Sequence, residues 1–234
     1  MPVKIFKSKI LEEKYLSQDV KCLKLSIPKD FKFEPGQYLS LSYYFNGKKF
    51  RSPYSIASTP NKKFIEFCIK LIDKRKSSNF IKTLKKGDKV ELFGPIGKFT
   101  IDKNSKNNDL IFICVGTGIA PFASMIHFLL KKGFKKKIIL LKGFRNENEI
   151  IYEKEFIQLQ KKYKNFEFYN ILSQPKNKNF KDKGYVQNFL DKYIPKNFDG
   201  DFYICGLSKM INSVVKKLKE KGIIKKRIFF EKYD

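Results

Sequence analysis

The chain has 234 residues, 42% of them hydrophobic, and carries 50 Lys plus Arg against 23 Asp plus Glu, a net charge of +27. That apolar fraction excludes a disordered tail, and the length suits two domains better than one. The charge is spread evenly, net +13 over residues 1–105 and +14 over residues 106–234. This argues against a nucleic-acid-binding stripe or tail and for a field that draws in anions, nucleotides and acidic proteins among them.

No run approaches the ~18–20 apolar residues of a membrane span, and the N-terminal stretch reads without a signal peptide. The four cysteines, Cys22, Cys68, Cys114 and Cys205, are too widely spaced for a zinc or iron–sulfur cluster, so no metal is expected. A reducing cytoplasm fits free thiols.

In chain order, residues 20–28, 36–45, 63–72 and 88–95 are short runs rich in apolar and aromatic residues, separated by Pro, Gly, Asn and Lys. They predict strands. Between the last two, SNFIKTLKKG predicts one short helix, capped by Ser78 and ended by Gly87. Several strands with one helix point to a small antiparallel β barrel. The polar stretch DKNSKNND (102–109) reads as a linker. Beyond it the pattern alternates. Strands are predicted at 110–116, 137–144, 166–173, 201–206 and 227–233. Helices fall between them, at PFASMIHFLLKKG, 149–163, VQNFLDKYI and SKMINSVVKKLKEKG. That repetition predicts a doubly wound parallel α/β sheet, which binds ligands beyond the carboxyl ends of its strands. The expected domains are therefore 1–105 and 106–234.

Two stretches carry candidate chemistry. In ICVGTGIAPF a buried strand runs into Gly116, Thr117 and Gly118 and then a helix. Glycines there let backbone approach a phosphate at a helix N-terminus. The third glycine of the dinucleotide fingerprint is replaced by Pro121, and on spacing alone a plain tight turn is the alternative. In FRSPYSIASTP, Tyr54 offers a stacking face, Ser55 and Ser58 offer hydroxyls, and Arg51 offers a planar donor for phosphate. An edge strand with an incidental arginine explains the same residues. His127, the single histidine, reads as structural.

Together these motifs resemble the ferredoxin–NADP(H) reductase family of the stand-alone bacterial type. The likeness rests on RSPYSIAS (51–58), SSNF (77–80), GDKVELFGPIGKF (87–99), GTGIAPF (116–122), GFR (143–145), YICG (203–206) with Met210, and EKY (231–233), in family order along nearly the whole chain. It implies an FAD-binding barrel over 1–105 and an NAD(P)-binding domain over 106–234. The implied activity is an NAD(P)H oxidoreductase that passes hydride to flavin and single electrons to a separate acceptor. That acceptor would be an acidic ferredoxin or flavodoxin, and the enzyme a monomer. A reductase that uses free flavin as a substrate, and a non-catalytic electron-carrier subunit, are the alternatives.

The resemblance also implies residue roles. Arg51, Pro53, Tyr54 and Ser55 would lie along FAD, with Ser55 near the hydride-accepting nitrogen. The chain departs from the family's R-x-Y-S by one extra residue between Arg51 and Tyr54. Ile69, Lys70 and Leu71 would run beside the ribityl chain, and Ser77, Ser78 and Asn79 would meet the pyrophosphate. Gly116, Thr117, Gly118 and Pro121 would hold the nicotinamide nucleotide's pyrophosphate, with Arg145 nearby. Cys205, Gly206, Leu207 and Met210 would approach the nicotinamide, although the family's proline after Gly206 is missing. Glu231 and Tyr233 would form the terminal pair, Tyr233 covering the flavin and Glu231 supporting hydride or proton traffic. For the 2′-phosphate of NADPH, Ser173, Lys183 and Tyr185 match the family and Gln174 replaces its arginine, which favours NADPH over NADH.

Overall fold

The structure, a computed structural model, describes residues 2–60, 63–196 and 198–233. Its Cα packing divides the chain into one unit of Met1–Thr100 with Ala120–Phe128 and another of Ile101–Ile119 with Leu129–Asp234.

The first unit holds strands β1 (Lys4–Ser17), β2 (Val20–Ser26), β3 (Tyr38–Phe45), β4 (Lys48–Ser55), β5 (Phe64–Lys70) and β6 (Lys89–Ile96), with helix α1 (Lys76–Thr83) between the last two. They form one antiparallel sheet in the order β4-β3-β6-β1-β2-β5. Its two end strands meet just past β4, where Ile56 bridges Phe67 and the Ala57 amide donates to the Glu66 carbonyl at 2.8 Å. The expected barrel is thus a sheet rolled until its ends touch at one seam. Inside it Leu23, Leu25, Leu39, Leu41, Phe67 and Leu92 are fully buried, each stabilising the fold by about 1.5–3 kcal/mol.

Strand β1 was not expected from sequence. Its first half pairs with β6 and its second with β2, with irregular register at Ile10/Glu12 and Tyr15/Ser17. Only Ser8 and Ile10 in it are buried, so no apolar alternation announces it. The expected helix lies at α1, but Ser78 is inside it rather than at its cap. The Ser78 hydroxyl instead accepts from the Ile72 amide at 2.9 Å. Gly87, at φ +100°, lies past the end in the turn into β6.

What ends α1 is a buried lysine. Lys21, 0% exposed on inner strand β2, donates to the carbonyls of Leu84 at 2.7 Å, Ile81 at 3.3 Å and Lys82 at 3.4 Å, and pairs with Glu13 at 3.3 Å. Of these helix-end carbonyls, that of Ile81 also accepts from the Leu84 amide at 3.3 Å; the lysine adds a donor where the helix runs out of its own, and a cation there also meets the negative end of the helix dipole.

The second unit is a five-stranded parallel sheet, β11-β10-β7-β8-β9, from β7 (Asp109–Val115), β8 (Ile138–Phe144), β9 (Phe166–Leu172), β10 (Gly200–Gly206) and β11 (Ile228–Lys232). Helices α2 (Ile119–Lys131), α3 (Glu153–Lys162), α4 (Leu190–Tyr193) and α5 (Ser208–Glu220) fall between strands as expected. Two are shorter than the sequence pattern. α3 starts after a separate 3-10 turn at Glu147–Glu149, and α4 is one turn following a 3-10 turn at Val186–Phe189. The 102–109 stretch is pinned rather than loose. The Tyr203 hydroxyl of β10 lies 2.8 Å from the fully buried Ser105 hydroxyl and accepts from the Asp102 amide at 2.9 Å.

Candidate functional site

In the first unit, the register of β4 against β3 runs unbroken from Lys48 to Ser55. Side chains alternate along such a strand, so Phe50, Ser52 and Tyr54 share a face with Leu39, Leu41 and Tyr43, while Arg51, Pro53 and Ser55 leave on the other. Tyr54 packs on Phe67 at 5.8 Å between ring centres. Burial pushes its hydroxyl's pKa up, opposed by hydrogen bonds with Ser77 and Ser52 and by the charge of Arg75. The two motifs RSPYS and SSNF are therefore joined through Tyr54 and Ser77.

Arg51 is not brought to them. Its guanidinium lies 3.8 Å from the Glu91 carboxylate and 3.4 Å from the Ser42 hydroxyl, and it stacks over Phe93 at 4.7 Å. Lys49 at 2.6 Å and Ser42 at 2.8 Å also hold Glu91, and they keep its carboxyl below the usual range. The expectation that Arg51 works beside Tyr54 required a bulge in β4, and the unbroken register has none. Ser55 is buried at the end of β4, opposite Tyr38.

Ile69 and Leu71 are buried, and the Lys70 ammonium is paired with Asp19. Side-chain roles for these three are thus taken up by the core and the ion pair. β5 is nevertheless an end strand, and past the Phe67 bridge no described strand pairs with its outer edge. The backbone there is what a ligand could reach. Ser77 and Ser78 are buried in the first turn of α1, with Asn79 exposed beside them. No side chain caps that turn and no acid lies in it. An uncapped helix start with a stacking tyrosine and buried hydroxyls fits the diphosphate end of a dinucleotide.

In the second unit the sheet's strand order reverses between β7 and β10, the place where such sheets bind nucleotides. The two expected loops leave these two strands. A β-carbon on Gly118 would stand 2.4 Å from the Cys205 carbonyl oxygen, so this glycine is required for the loops to touch. Gly116, at φ +52°, meets nothing within 4 Å on its side-chain position, which leaves its backbone open to a ligand. Thr117 lies between them in a 3-10 turn, and Pro121 sits in the first turn of α2, where a missing amide proton is tolerated. Gly206, at φ +146°, packs against Val115 and Met210. Leu207 is 57% exposed, whereas Met210 is buried in the core under α5.

Cys205 is fully buried. Burial first, then Glu231 and Cys114, push its pKa well above the ordinary thiol value, against a hydrogen bond from Tyr233. Register places Glu231, Cys205, Cys114, Lys142 and Asn170 in one row across all five strands. Lys142 is also fully buried, with Phe168 at 4.7 Å and Phe156 at 4.9 Å around its ammonium, and burial brings its pKa down to about 8. Cys114 is pushed up to about 12 by burial. The Tyr233 amide donates to the Gly206 carbonyl at 3.0 Å, which ties the chain's last described residue to the β10 loop.

The residues expected at the 2′-phosphate also converge. Ser173 and Gln174 donate from their amides to the carbonyls of Phe144 and Arg145, at 3.0 and 2.7 Å. Lys183 bridges Leu172, and the Gly184 amide reaches the Leu172 carbonyl at 2.7 Å. The buried Asp182 carboxylate, held by Lys192 and Tyr193, anchors that segment. Arg145, Gln174, Lys183 and Tyr185 are all exposed there. Sequence reasoning missed Lys21, Ser52 and Lys142. Their one signal is a polar residue at an inward strand position, and a chain this rich in lysine hides it.

Residues 7–101 match the family model for an oxidoreductase FAD-binding domain and residues 112–216 that for an oxidoreductase NAD-binding domain. The chain is 32% identical over 225 residues to the reductase component of phenol 2-monooxygenase of Pseudomonas sp. (strain CF600), covering 93% of this chain and 62% of that protein. It is 27% identical over 205 residues to the electron transfer component of toluate 1,2-dioxygenase of Pseudomonas putida, covering 86% of this chain and 59% of that one. The chain thus spans less than two thirds of the length of these relatives. Among solved structures, ferredoxin-NADP+ reductase from Plasmodium falciparum superposes with a TM-score of 0.84 at 27% identity, covering 98% of this chain and 96% of that one. Two matched domains in this order, with the barrel seam and the strand-order reversal that each domain requires, show that the chain belongs to the ferredoxin reductase-like family of FAD- and NAD(P)-binding oxidoreductases.

Proposed function

We propose that the chain is an FAD-dependent NAD(P)H reductase that hands single electrons to a separate acidic carrier of the ferredoxin or flavodoxin kind. The observation that carries this reading is the contact of Gly118 with the Cys205 carbonyl at the sheet's switch point, in a chain whose other unit matches an FAD-binding domain. The flavin supplies the redox chemistry, accepting a hydride and releasing electrons one at a time. The protein supplies positioning. Tyr54 stacks, the first turn of α1 takes the diphosphate, and the buried Ser55 is the donor assigned to the flavin edge. Gly116, Thr117 and Gly118 take the coenzyme's diphosphate. Cys205 acts as a neutral, buried wall near the nicotinamide, with Glu231 and Tyr233 beside it. Ser173, Gln174, Lys183 and Tyr185 form the 2′-phosphate pocket and favour NADPH.

One relative is named as the reductase component of a monooxygenase, another as the electron transfer component of a dioxygenase, and a structural neighbour as a ferredoxin-NADP+ reductase. A surface of +27 favours an acidic carrier. We further assign the chain to a reducing cytoplasm as a monomer. Its four cysteines are buried, and no helix among the described residues is long and apolar enough to cross a membrane. The test is the visible spectrum of the purified protein before and after anaerobic NADPH. A flavin spectrum that survives gel filtration and bleaches with NADPH is expected. A colourless protein that reduces only added flavin would replace this reading with a flavin-releasing reductase. A flavin that no nicotinamide bleaches would leave a non-catalytic electron carrier.

A further inference from the structure

All four cysteines stand in register pairs. Cys22 of β2 is opposite Cys68 of β5 in the antiparallel sheet, and Cys205 of β10 is opposite Cys114 of β7 in the parallel one. The two pairs differ in geometry and in access. Beside the antiparallel pair, the Leu71 amide donates to the Asp19 carbonyl at 2.7 Å, which makes Asp19 and Leu71 a hydrogen-bonded couple. The register then runs unbroken from Val20 opposite Lys70 to Ser26 opposite Phe64. Hydrogen-bonded and non-hydrogen-bonded couples alternate along such a ladder, so Cys22 and Cys68 are a non-hydrogen-bonded couple. Glu66 agrees with this phase, because its carbonyl and amide turn away from β2 to the Ala57 amide and the Ser58 hydroxyl. At such a position the Cα atoms approach to about 4.5 Å and the side chains are closest. A disulfide spans Cα separations of about 4.4–6.8 Å, so the two strands already stand at bonding distance. Both side chains leave on the face away from the barrel core, since their chain neighbours Lys21, Leu23, Phe67 and Ile69 point inward. Cys22 is 5% and Cys68 6% exposed, whereas Cys114 and Cys205 are 0% exposed and are held protonated by burial.

We propose that Cys22 and Cys68 form a redox-responsive dithiol, which hydrogen peroxide closes to a disulfide and a dithiol reductant reopens, while Cys114 and Cys205 stay reduced. One thiol gives up its proton and attacks a peroxide oxygen. The O–O bond breaks, the sulfur becomes a sulfenic acid, and the departing hydroxide takes the proton as water. The second thiolate then attacks that sulfur, the S–S bond forms, and hydroxide leaves with the second thiol's proton as another water. The two sulfurs together lose two electrons and the peroxide gains them. An oxidant this small fits thiols so enclosed, where a bulky thiol reagent does not. Cα atoms at the short end of the disulfide range make the bond easy to reduce, as a transient bridge in a reducing compartment must be. The bridge fastens β5, the sheet's end strand, to β2 one residue from the Phe67 seam, and so resists unrolling there. It needs neither flavin nor coenzyme and stands apart from the proposed function.

The test is thiol counting and peptide mapping on the purified chain, reduced, freed of reductant and then treated with a small excess of hydrogen peroxide. Two of the four thiols, counted in denaturant, should disappear. The peptides of Cys22 and Cys68 should be joined within one chain, lighter by two hydrogens, and dithiothreitol should restore both thiols. Oxidation should raise the urea midpoint by about 1 M, since the bridge closes a long loop. C22S and C68S, each lacking half of the pair, should show neither the joined peptides nor the shift, and the mapping on wild type stands whether or not these variants fold. The proposal is overturned if peroxide leaves all four thiols, or carries Cys22 or Cys68 to sulfinic acid without joining them. It is equally overturned if Cys114 joins Cys205 first, or if the bond forms between two chains. A bridged protein with an unchanged midpoint overturns the bridge's part at the seam.

Discussion

Lys21 reaches the Leu84 carbonyl at 2.7 Å from the floor of the barrel, at the opposite end of the helix whose first turn carries Ser77. The lysine fixes where α1 ends, and the Tyr54–Ser77 bond fixes where it begins. Replacing it by methionine keeps the volume but leaves three carbonyls and Glu13 without their shared cation. Lys21→Met should cost about 2–4 kcal/mol, read as a lower urea midpoint at unchanged slope. An unchanged midpoint would mean that water satisfies those carbonyls.

Lys142 makes the opposite case. Its ammonium has aromatic rings and one carbonyl, Ile151 at 3.5 Å, around it. Its pKa is lowered from 10.5 to about 8, so the folded chain binds fewer protons than the unfolded one between those values. Stability therefore rises with pH across about 8 to 10.5, and the penalty is complete below 8, on the order of 3 kcal/mol. Lys142→Met should stabilise the protein at pH 7 and flatten that rise. A variant less stable than wild type at pH 7 would show that the charge is compensated.

The proposed 2′-phosphate pocket is the exposed group at the end of β9. Only NADPH carries a 2′-phosphate, so Lys183→Ala should raise its KM about tenfold and leave NADH within about twofold. Gln174→Arg should lower the KM for NADPH through a bidentate contact. Equal losses for both coenzymes in Lys183→Ala would remove this pocket.

The four cysteines are buried, and the two in the second unit are held protonated by burial. A thiol reagent at pH 8 should therefore modify none of them in the folded protein within minutes, and all four in denaturant. Rapid labelling of Cys205 in the native state would show that it is reached from solvent and would remove its proposed role as a buried, neutral wall.

Docking of an acidic carrier should be screened. Between about 0.01 and 0.15 M salt the Debye length falls from ~30 to ~8 Å. Turnover with such a carrier should drop severalfold over that range, while ferricyanide reduction changes less. Flat turnover would mean that the lysines serve no docking role.

The parallel sheet was legible because its strands are buried on both faces and read as continuous apolar runs, as LIFICV does. The loop after it was legible because Gly116 and Gly118 sit between a strand and a helix. β1 was not, since a strand that divides its pairing between two partners needs no regular alternation. The side of β4 on which Arg51 stands depends on whether the strand bulges, and the motif's residue types do not encode that. The fate of Lys21 depends on carbonyls 60 to 63 residues away and that of Lys142 on the rings of Phe156 and Phe168 beside it, among 46 lysines that look alike in sequence.

The barrel seam has a further consequence. Ile56, Ala57 and Ser58 join the sheet's two ends, with the Ser58 hydroxyl accepting from the Glu66 amide at 3.0 Å and its carbonyl accepting from Ser124 at 2.7 Å. They follow directly on Tyr54 and Ser55. A rolled sheet opens most readily where only a bridge or two hold its ends, so the thinnest joint of this unit adjoins the residues proposed to hold the flavin. A flavin seated there would act as a clasp, stabilising the closed form by mass action. Emptying the site and unrolling the sheet would then begin with the same few residues.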